Sequence, residues 1–184
     1  SQQLNLNNFL AIPTGCVIAA LFGVSYELII FRKMRKSGAS SLLLLIASLG
    51  IYIIFENLIS LLWGVKTLSL HKGEIEVGKS FFDGYVTDYQ LIIIIVSIFL
   101  FSMVLTFLKY STLGILIKAV SSNKGLSNIL GINSNNVILK TIAFGSVLAA
   151  IGGILISFNV GMTPNMGFDI LVFAIVTMIL GGIG

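Results

Sequence analysis

Residues 109–140 read KYSTLGILIKAVSSNKGLSNILGINSNNVILK and lie between two hydrophobic segments that are each long enough to cross a bilayer. The stretch contains four lysines and no acidic residue. Toward its end, Ser134 stands among asparagines and is expected to cap a helix that the chain enters at Val137. These signals predict that the connection between the two membrane helices is folded and is not an irregular loop.

Within this stretch, three apolar residues recur at i, i+3 and i+4, the spacing of one helix face: Leu126, Ile129 and Leu130. Ser122 or Asn123 is expected to provide the N-cap, and Gly131 is expected to end the helix. The pattern therefore predicts a short amphipathic helix, whose polar side cannot face lipid.

The composition is that of an integral membrane protein. Hydrophobic residues make up 57% of the chain and charged residues 10%, and the mean hydropathy is +1.06, values outside the range of soluble domains. In a soluble protein the net charge of +4 would suggest nucleic-acid binding. Here the basic residues cluster in two loops, as membrane topology requires, so no nucleic-acid partner is predicted.

Five apolar segments approach the length of about 20 residues that spans a hydrocarbon core of roughly 30 Å. They are residues 9–31, 41–63, 91–108, 138–161 and 170–184. Unpaired backbone groups are not tolerated in lipid, and the alternating strands of a membrane barrel do not occur in the sequence. The prediction is an all-α polytopic helix bundle, a single transmembrane domain over residues 1–184 that is expected to be incomplete at both ends.

Basic residues orient the predicted helices. Four of them crowd the first loop: Arg32, Lys33, Arg35 and Lys36. The four lysines of residues 109–140 lack acidic neighbours, whereas the lysines of residues 64–90 are diluted by acids. We therefore expect the first loop and residues 109–140 to be cytoplasmic and residues 64–90 to form an external loop.

Two acidic residues occur within the predicted spans. Glu56, beside Asn57, lies deep in the second helix, where a carboxylate costs about 2.5 to 3.5 kcal/mol on insertion scales. It is expected to face the bundle interior or a water-filled path, unless a neighbouring helix holds it or it reaches the external interface. Glu27 lies near the cytoplasmic end of the first helix, where Arg32 or Lys33 is expected to pair with it as a structural anchor.

Small residues recur every four positions on two helices. The first helix carries Gly15, Ala19 and Gly23, and the fourth carries Gly145, Ala149 and Gly153. Such ridges allow another helix to approach closely, which makes these six residues candidates for helix packing. The alternative is that small residues are simply common in membrane helices.

Residues 73–80, GEIEVGKS, match the phosphate-binding pattern G-x-x-x-x-G-K-[ST]. The core strand and the following helix that this motif requires are not predicted here, and its two glutamates would repel phosphate. A short β-ribbon between residues 68–71 and 74–77 is the preferred interpretation. The only histidine, His71, lies in the same loop, so no catalytic residue, metal site or cofactor is predicted.

Four stretches together resemble one family of membrane proteins. They are residues 31–51, FRKMRKSGASSLLLLIASLGI; 114–133, GILIKAVSSNKGLSNILGIN; 144–155, FGSVLAAIGGIL; and 162–184, MTPNMGFDILVFAIVTMILGGIG. Their order and spacing closely resemble the permease subunits of bacterial branched-chain amino acid ABC transporters, the LivH type. The chain departs from that family at Lys118, where arginine is usual, and at Ser122 and Asn123, which replace an acidic pair.

This resemblance implies a non-catalytic, multi-pass permease subunit in the bacterial inner membrane, which would carry branched-chain amino acids or related amino acids and amides. It implies three kinds of partner: separate cytoplasmic ATPase subunits, a second, homologous permease subunit and an external substrate-binding protein. Glu56 and Asn57 then become candidates for the substrate path. Residues 109–140 become a coupling loop that contacts the ATPase through Lys118, Ala119, Leu126, Ile129, Leu130, Gly131, Ile132 and Asn133.

Other interpretations remain open at this point. The short helix could lie on the membrane surface with its lysines on lipid headgroups. The chain could also be a structural or interaction protein without transport activity. A membrane enzyme would need ionisable groups clustered at one depth, and only Glu56 meets that condition.

Overall fold

The computed structural model of the protein describes residues 8–67, 79–81 and 84–181. It confirms the all-α, polytopic prediction. Eight α-helices occur in the described residues, namely α1 (Asn8–Tyr26), α2 (Arg32–Lys36), α3 (Ser41–Trp63), α4 (Asp88–Tyr110), α5 (Thr112–Ser122), α6 (Lys124–Ile129), α7 (Ser134–Val160) and α8 (Met166–Gly181). A π-helical turn, Glu27–Phe31, joins α1 to α2.

Four helical spans in the described chain are long and apolar enough to cross a membrane: Ile12–Lys36, Ser41–Trp63, Gln90–Tyr110 and Ser134–Phe158. They correspond to the first four predicted segments. The fifth segment begins four residues earlier than predicted, since α8 starts at Met166, and α8 has 16 described residues. It is shorter than the other four spans within the part of the chain that the structure describes.

The first helix is longer than predicted. Its four basic residues do not lie in a loop, because the backbone stays helical through the π-turn and α2 as far as Lys36. The loop prediction for them is therefore wrong, and the connection to α3 shrinks to residues 37–40. There Gly38 adopts a left-handed φ of 77°, and Ser40 caps α3 by accepting a hydrogen bond from the Leu43 N–H at 3.3 Å.

Two strands precede α4. β1 (Lys79–Phe81) and β2 (Gly84–Val86) pair antiparallel, with Lys79 opposite Val86. The β-ribbon predicted at 68–71 and 74–77 lies outside the described residues. Lys79 and Ser80, which end the phosphate-loop pattern, lie in β1 and not at the start of a helix, so the context that a phosphate-binding loop needs is missing.

The chain forms two compact units. The first comprises Ser1–Gly38 and Ile75–Leu155, and the second comprises Ala39–Glu74 and Ile156–Gly184. Within the first, Phe107 of α4 stacks on Phe144 of α7 with ring centroids 4.7 Å apart. Within the second, Tyr52 of α3 packs against Phe168 of α8 at 6.2 Å between centroids.

Most large apolar side chains of the long helices point outward. Leu61 of α3 and Leu180 of α8 are 84% and 82% exposed, and many similar residues lie along α1 and α4. In a soluble protein such a surface would aggregate, whereas in a bilayer it meets lipid or other membrane subunits. The exposed apolar surface therefore agrees with the composition of the chain.

Candidate functional site

The connection between α4 and α7 begins with a tight corner at Ser111. This residue ends α4 with extended backbone angles, φ −78° and ψ 143°, and its hydroxyl caps α5 by accepting from the Leu113 N–H at 3.2 Å. Gly114 is buried at the corner, where an added Cβ would lie 2.7 Å from the Leu108 carbonyl carbon. Backbone therefore packs on backbone here, and only glycine fits.

Gly114 is a structural residue that sequence reasoning missed. The available signal was a glycine three residues after a serine cap, in a helix where glycine is otherwise unfavourable. Its role depends on the path of α4, which the local sequence does not specify.

Ser127 ties α6 to α5. Its hydroxyl donates to the Ala119 carbonyl oxygen at 3.0 Å and lies 2.9 Å from the Asn123 carbonyl oxygen, and the side chain is only 3% exposed. Ala119, a predicted coupling residue, thus contributes its backbone oxygen to the internal structure of the connection. Lys118, beside it, is exposed.

Both ends of α6 agree with the prediction, since Leu130 is the C-cap and the terminating glycine follows it directly. Asn123 caps the helix, since its Oδ1 accepts from the Leu126 N–H at 2.9 Å. Gly131 follows with a left-handed φ of 81°, and the Ile132 N–H donates to the Ser127 carbonyl oxygen at 2.9 Å. This reversal is a common glycine-terminated helix end.

The capping residue of α7 differs from the prediction. Ser134 is already helical, and Asn133 is the cap, because its Oδ1 accepts from the Asn136 N–H at 3.2 Å. Ser134 is instead 1% exposed and donates its hydroxyl to Asn128 Oδ1 at 2.6 Å. The prediction was wrong by one residue because serine and asparagine are both good caps. In the structure the Ser134 side chain is buried against Asn128, and Asn133 is left to cap the helix.

These bonds leave the apolar side of α6 facing away from the chain. Leu126, Ile129 and Leu130 are 54%, 83% and 70% exposed, while Ser127 faces inward. We call these three side chains the α6 stripe. A helix on the surface of a soluble protein turns its apolar face toward the core, whereas α6 turns its apolar face outward. No described residue buries this face, which therefore suits a docking surface.

The other predicted coupling residues lie before and after the stripe in the chain. Gly131 and Asn133, which follow it, are exposed, and Ile132 is half-buried; Lys118, on α5, is exposed as well. The hydrogen bonds of Ser127 and Asn128 hold α6 to α5 and to the start of α7.

A second candidate site is a cleft of about 480 Å³ within the second unit, which we call the α3–α8 cleft. Glu56 lines it, half-buried. Side chains from α3, from the residues just after it and from residues 162–167 complete the walls: Tyr52, Phe55, Ile59, Trp63, Lys66, Met162, Thr163, Pro164 and Met166. Glycine at position 167 allows the close approach, because an added Cβ would lie 3.3 Å from Tyr52 Cε2.

Asn57 takes no part in the cleft. Its side-chain amide donates to the Ile53 carbonyl oxygen of its own helix at 2.8 Å, as neighbouring helix positions point in different directions. The structure therefore separates the two candidates for a substrate path, since Glu56, and not Asn57, lines this cleft.

The first small-residue ridge lies close to α7 at two points. An added Cβ at Gly23 would come within 2.9 Å of Ser146 Cβ, and one at Gly15 within 3.9 Å of Ile154 Cδ1. Ala19, between them, is half-buried. On the second ridge, Gly145 and Gly153 meet nothing within 4 Å among the described residues, and Ala149 is exposed.

Glu27 forms an ion pair, but with a different partner from the one predicted. The two terminal guanidinium nitrogens of Arg35 donate to the two carboxylate oxygens of Glu27, Nη1 to Oε2 at 3.2 Å and Nη2 to Oε1. Glu27 is 1% exposed and Arg35 19%. The predicted partners Arg32 and Lys33 are closer in sequence, but the π-turn between Glu27 and α2 changes which basic residue faces the carboxylate.

Comparison with known proteins identifies the class to which this chain is similar. The family described as "Branched-chain amino acid transport system / permease component" matches residues 1–184. The high-affinity branched-chain amino acid transport system permease protein BraD of Pseudomonas aeruginosa is 34% identical over 179 residues, which cover 95% of this chain and 58% of that protein.

Two enterobacterial relatives carry the same description under the name LivH. The protein of Escherichia coli K12 is 35% identical over 174 residues, which cover 91% of this chain and 56% of the relative. That of Salmonella typhimurium is 34% identical over the same length. The chain thus spans little more than half the length of these relatives, and no solved structure matches it significantly.

Proposed function

Because the chain belongs to the family of permease components of branched-chain amino acid transport systems, we propose that it forms part of the membrane path of an ABC importer. The importer would move branched-chain amino acids, or close relatives, across the bacterial inner membrane. ATP would be hydrolysed on a separate cytoplasmic subunit, and an external binding protein would deliver the substrate. The observation that carries this proposal is the exposed α6 stripe on a hydrogen-bonded connection between membrane helices.

The proposed role of the α6 stripe is to transmit motion. A groove on the ATPase would cover Leu126, Ile129 and Leu130, and burial of each such side chain contributes about 1.5 to 3 kcal/mol. Ser127 and Asn128 fix α6 to α5 and α7. A shift of the ATPase groove would then move these helices as a rigid body instead of bending a loop.

Subunit contacts within the membrane belong to the same proposal. Gly145, Ala149 and Gly153 present a small-residue face on α7 that the described chain leaves open. Such a face permits close approach of another helix. We assign it to packing against membrane helices outside the described residues, with the second permease subunit as the proposed partner.

The topology follows from the charge distribution. We expect the end of α2 and the α4–α7 connection to be cytoplasmic and residues 64–90 to be external, because basic residues are retained inside. In the full-length protein with Cys16→Ala, single cysteines at Ser37, Ser80 and Ser122 will report this arrangement. An impermeant maleimide should label only Ser80→Cys in spheroplasts and all three after permeabilisation. Labelling of Ser122→Cys before permeabilisation would contradict the assignment.

Transport itself is tested in proteoliposomes that contain the full-length permease, its partner permease, the ATPase and the binding protein. We expect accumulation of radiolabelled leucine that requires ATP inside and binding protein outside. Omission of the binding protein is the matched control. An assembled complex that hydrolyses ATP but accumulates no amino acid would contradict the proposed function and favour a structural role.

A further inference from the structure

We propose that the α3–α8 cleft is a binding site for a zwitterionic amino acid with an aliphatic side chain. The inference rests on the proposed function and adds to it the place where the permease itself recognises its substrate. Glu56, the candidate for the substrate path that the structure retains, lines this cleft, and the chemistry of the cleft is independent of the α6 stripe.

The first observation is that the cleft contains both signs of charge. Glu56, from the middle of α3, and Lys66, which follows the end of that helix, line the same cavity. A free amino acid carries an ammonium and a carboxylate, so it needs an anionic and a cationic partner on opposite sides. Charge-assisted hydrogen bonds of this kind are about twice as strong as neutral ones.

The second observation is the apolar lining of the same cleft. Phe55, Ile59, Met162 and Met166 line the cleft, and methionine adapts to aliphatic groups of varied shape. The volume of about 480 Å³ falls within the range of small-molecule sites. The walls therefore suit a branched hydrocarbon side chain.

The third observation is a buried polar atom beside the carboxylate. The Tyr52 hydroxyl is buried and lies where it interacts with the Glu56 side chain and with the backbone of Phe168, while Asp169 interacts with it electrostatically and more weakly. Tyr52 and Glu56 also border a second cavity of about 550 Å³ that includes Asp169.

Together these groups assign an orientation to the ligand. The ammonium donates to Glu56 and to the Tyr52 hydroxyl oxygen, with Asp169 adding negative potential. The carboxylate pairs with Lys66, and the side chain lies against Met162 and Met166. An amine or a carboxylic acid alone satisfies only half of this site, so the site selects the zwitterion.

The test measures protection of a thiol in the cleft. The full-length permease with Cys16→Ala and Ile59→Cys is assembled with its partner permease and ATPase in nanodiscs, without binding protein, with other reactive thiols removed. Leucine should slow maleimide labelling at position 59. At equal concentration, 4-methylpentanoate, which lacks the ammonium, and 3-methylbutylamine, which lacks the carboxylate, should not.

Substitutions then assign the charges. Glu56→Gln and Lys66→Gln should each raise the leucine concentration for half-protection by about 10- to 100-fold, the effect expected for one lost charged hydrogen bond. Asn57→Ala is the matched control, because Asn57 bonds to its own helix and should leave protection unchanged. A purely structural Glu56 would alter basal labelling without changing its dependence on leucine.

Three results would overturn the inference: no protection by leucine, protection that persists in Glu56→Gln, or a thiol that does not react because another segment fills the cleft. The uptake assay of the proposed function is run on the same complex with binding protein added. Uptake without protection would overturn the cleft site alone, whereas a complex that never transports would overturn the proposed function.

Discussion

Replacing Leu126 and Leu130 together by aspartate will abolish co-purification of the ATPase with the permease, while the permease still inserts into the membrane. Both side chains are more than half exposed in the chain and would be buried in the ATPase groove. The substitution would remove the apolar burial of the two leucines and would require two carboxylates to lose their hydration. Together these effects should weaken binding of the ATPase by several kcal/mol. Insertion should be unaffected, because the bilayer does not hold this connection.

The matched control for this double variant is Ser121→Asp with Ser122→Asp. It places the same charge at the end of α5, on two exposed residues outside the α6 stripe, and should retain most of the bound ATPase. If α6 instead lies on lipid headgroups, the aspartates will leave the ATPase in the complex and reduce only the binding of α6 to anionic vesicles. ATPase recovered with the aspartate variant at the unmutated level would therefore remove the coupling role.

Arg35→Met is expected to destabilise the protein severely. It leaves the Glu27 carboxylate, which is 1% exposed, without its partner, and breaking one side of a buried ion pair typically costs about 3 to 5 kcal/mol. We expect a large fall in the yield of folded, monodisperse protein in detergent and a lower midpoint of thermal unfolding. Fluorescence-detected size-exclusion chromatography with a heating series measures both.

Two further variants separate the ion pair from a general loss of charge. Lys36→Met removes the same charge from an exposed site on the same helix and should be near neutral. Glu27→Gln combined with Arg35→Met removes both charges and should recover much of the lost stability, since a neutral pair is not penalised by burial in the same way. Equal instability of the single Arg35 variant and the double variant would show that Arg35 acts through packing and not through the carboxylate.

The local structure of this chain could be read from its sequence to a large extent. The helices were visible as apolar segments, and Asn123, Gly131 and the α6 spacing predicted a short helix that the structure contains. These features depend on hydrogen bonds between residues a few positions apart. The helix ends were predicted less accurately. For example, α2 occupies residues that were predicted to form a loop.

The long-range contacts could not be read in the same way. Membrane helices that are apolar on all sides carry little periodicity to show which face meets which neighbour. The partner of Glu27, the backbone contact of Gly114 and the division of roles between Glu56 and Asn57 all depend on such faces. The sequence marked Glu56 as costly in lipid, but only the packing of α3 with residues 162–169 shows that it borders a cavity.

The π-turn Glu27–Phe31 changes the direction in which each later residue of the same helix points around the helix axis. One additional residue advances a helix of 3.6 residues per turn by about 100° around its axis. The π-turn therefore determines which side of the helix Arg35 faces. Deleting a single isoleucine, Ile29 or Ile30, would remove the additional residue, and the turn could then close as regular α-helix with the arginine seven positions after Glu27, about 20° short of two full turns. The ion pair should therefore survive the loss of either isoleucine, whereas deletion of both would place the guanidinium about 120° away from the carboxylate around the helix axis and leave a buried charge without its partner.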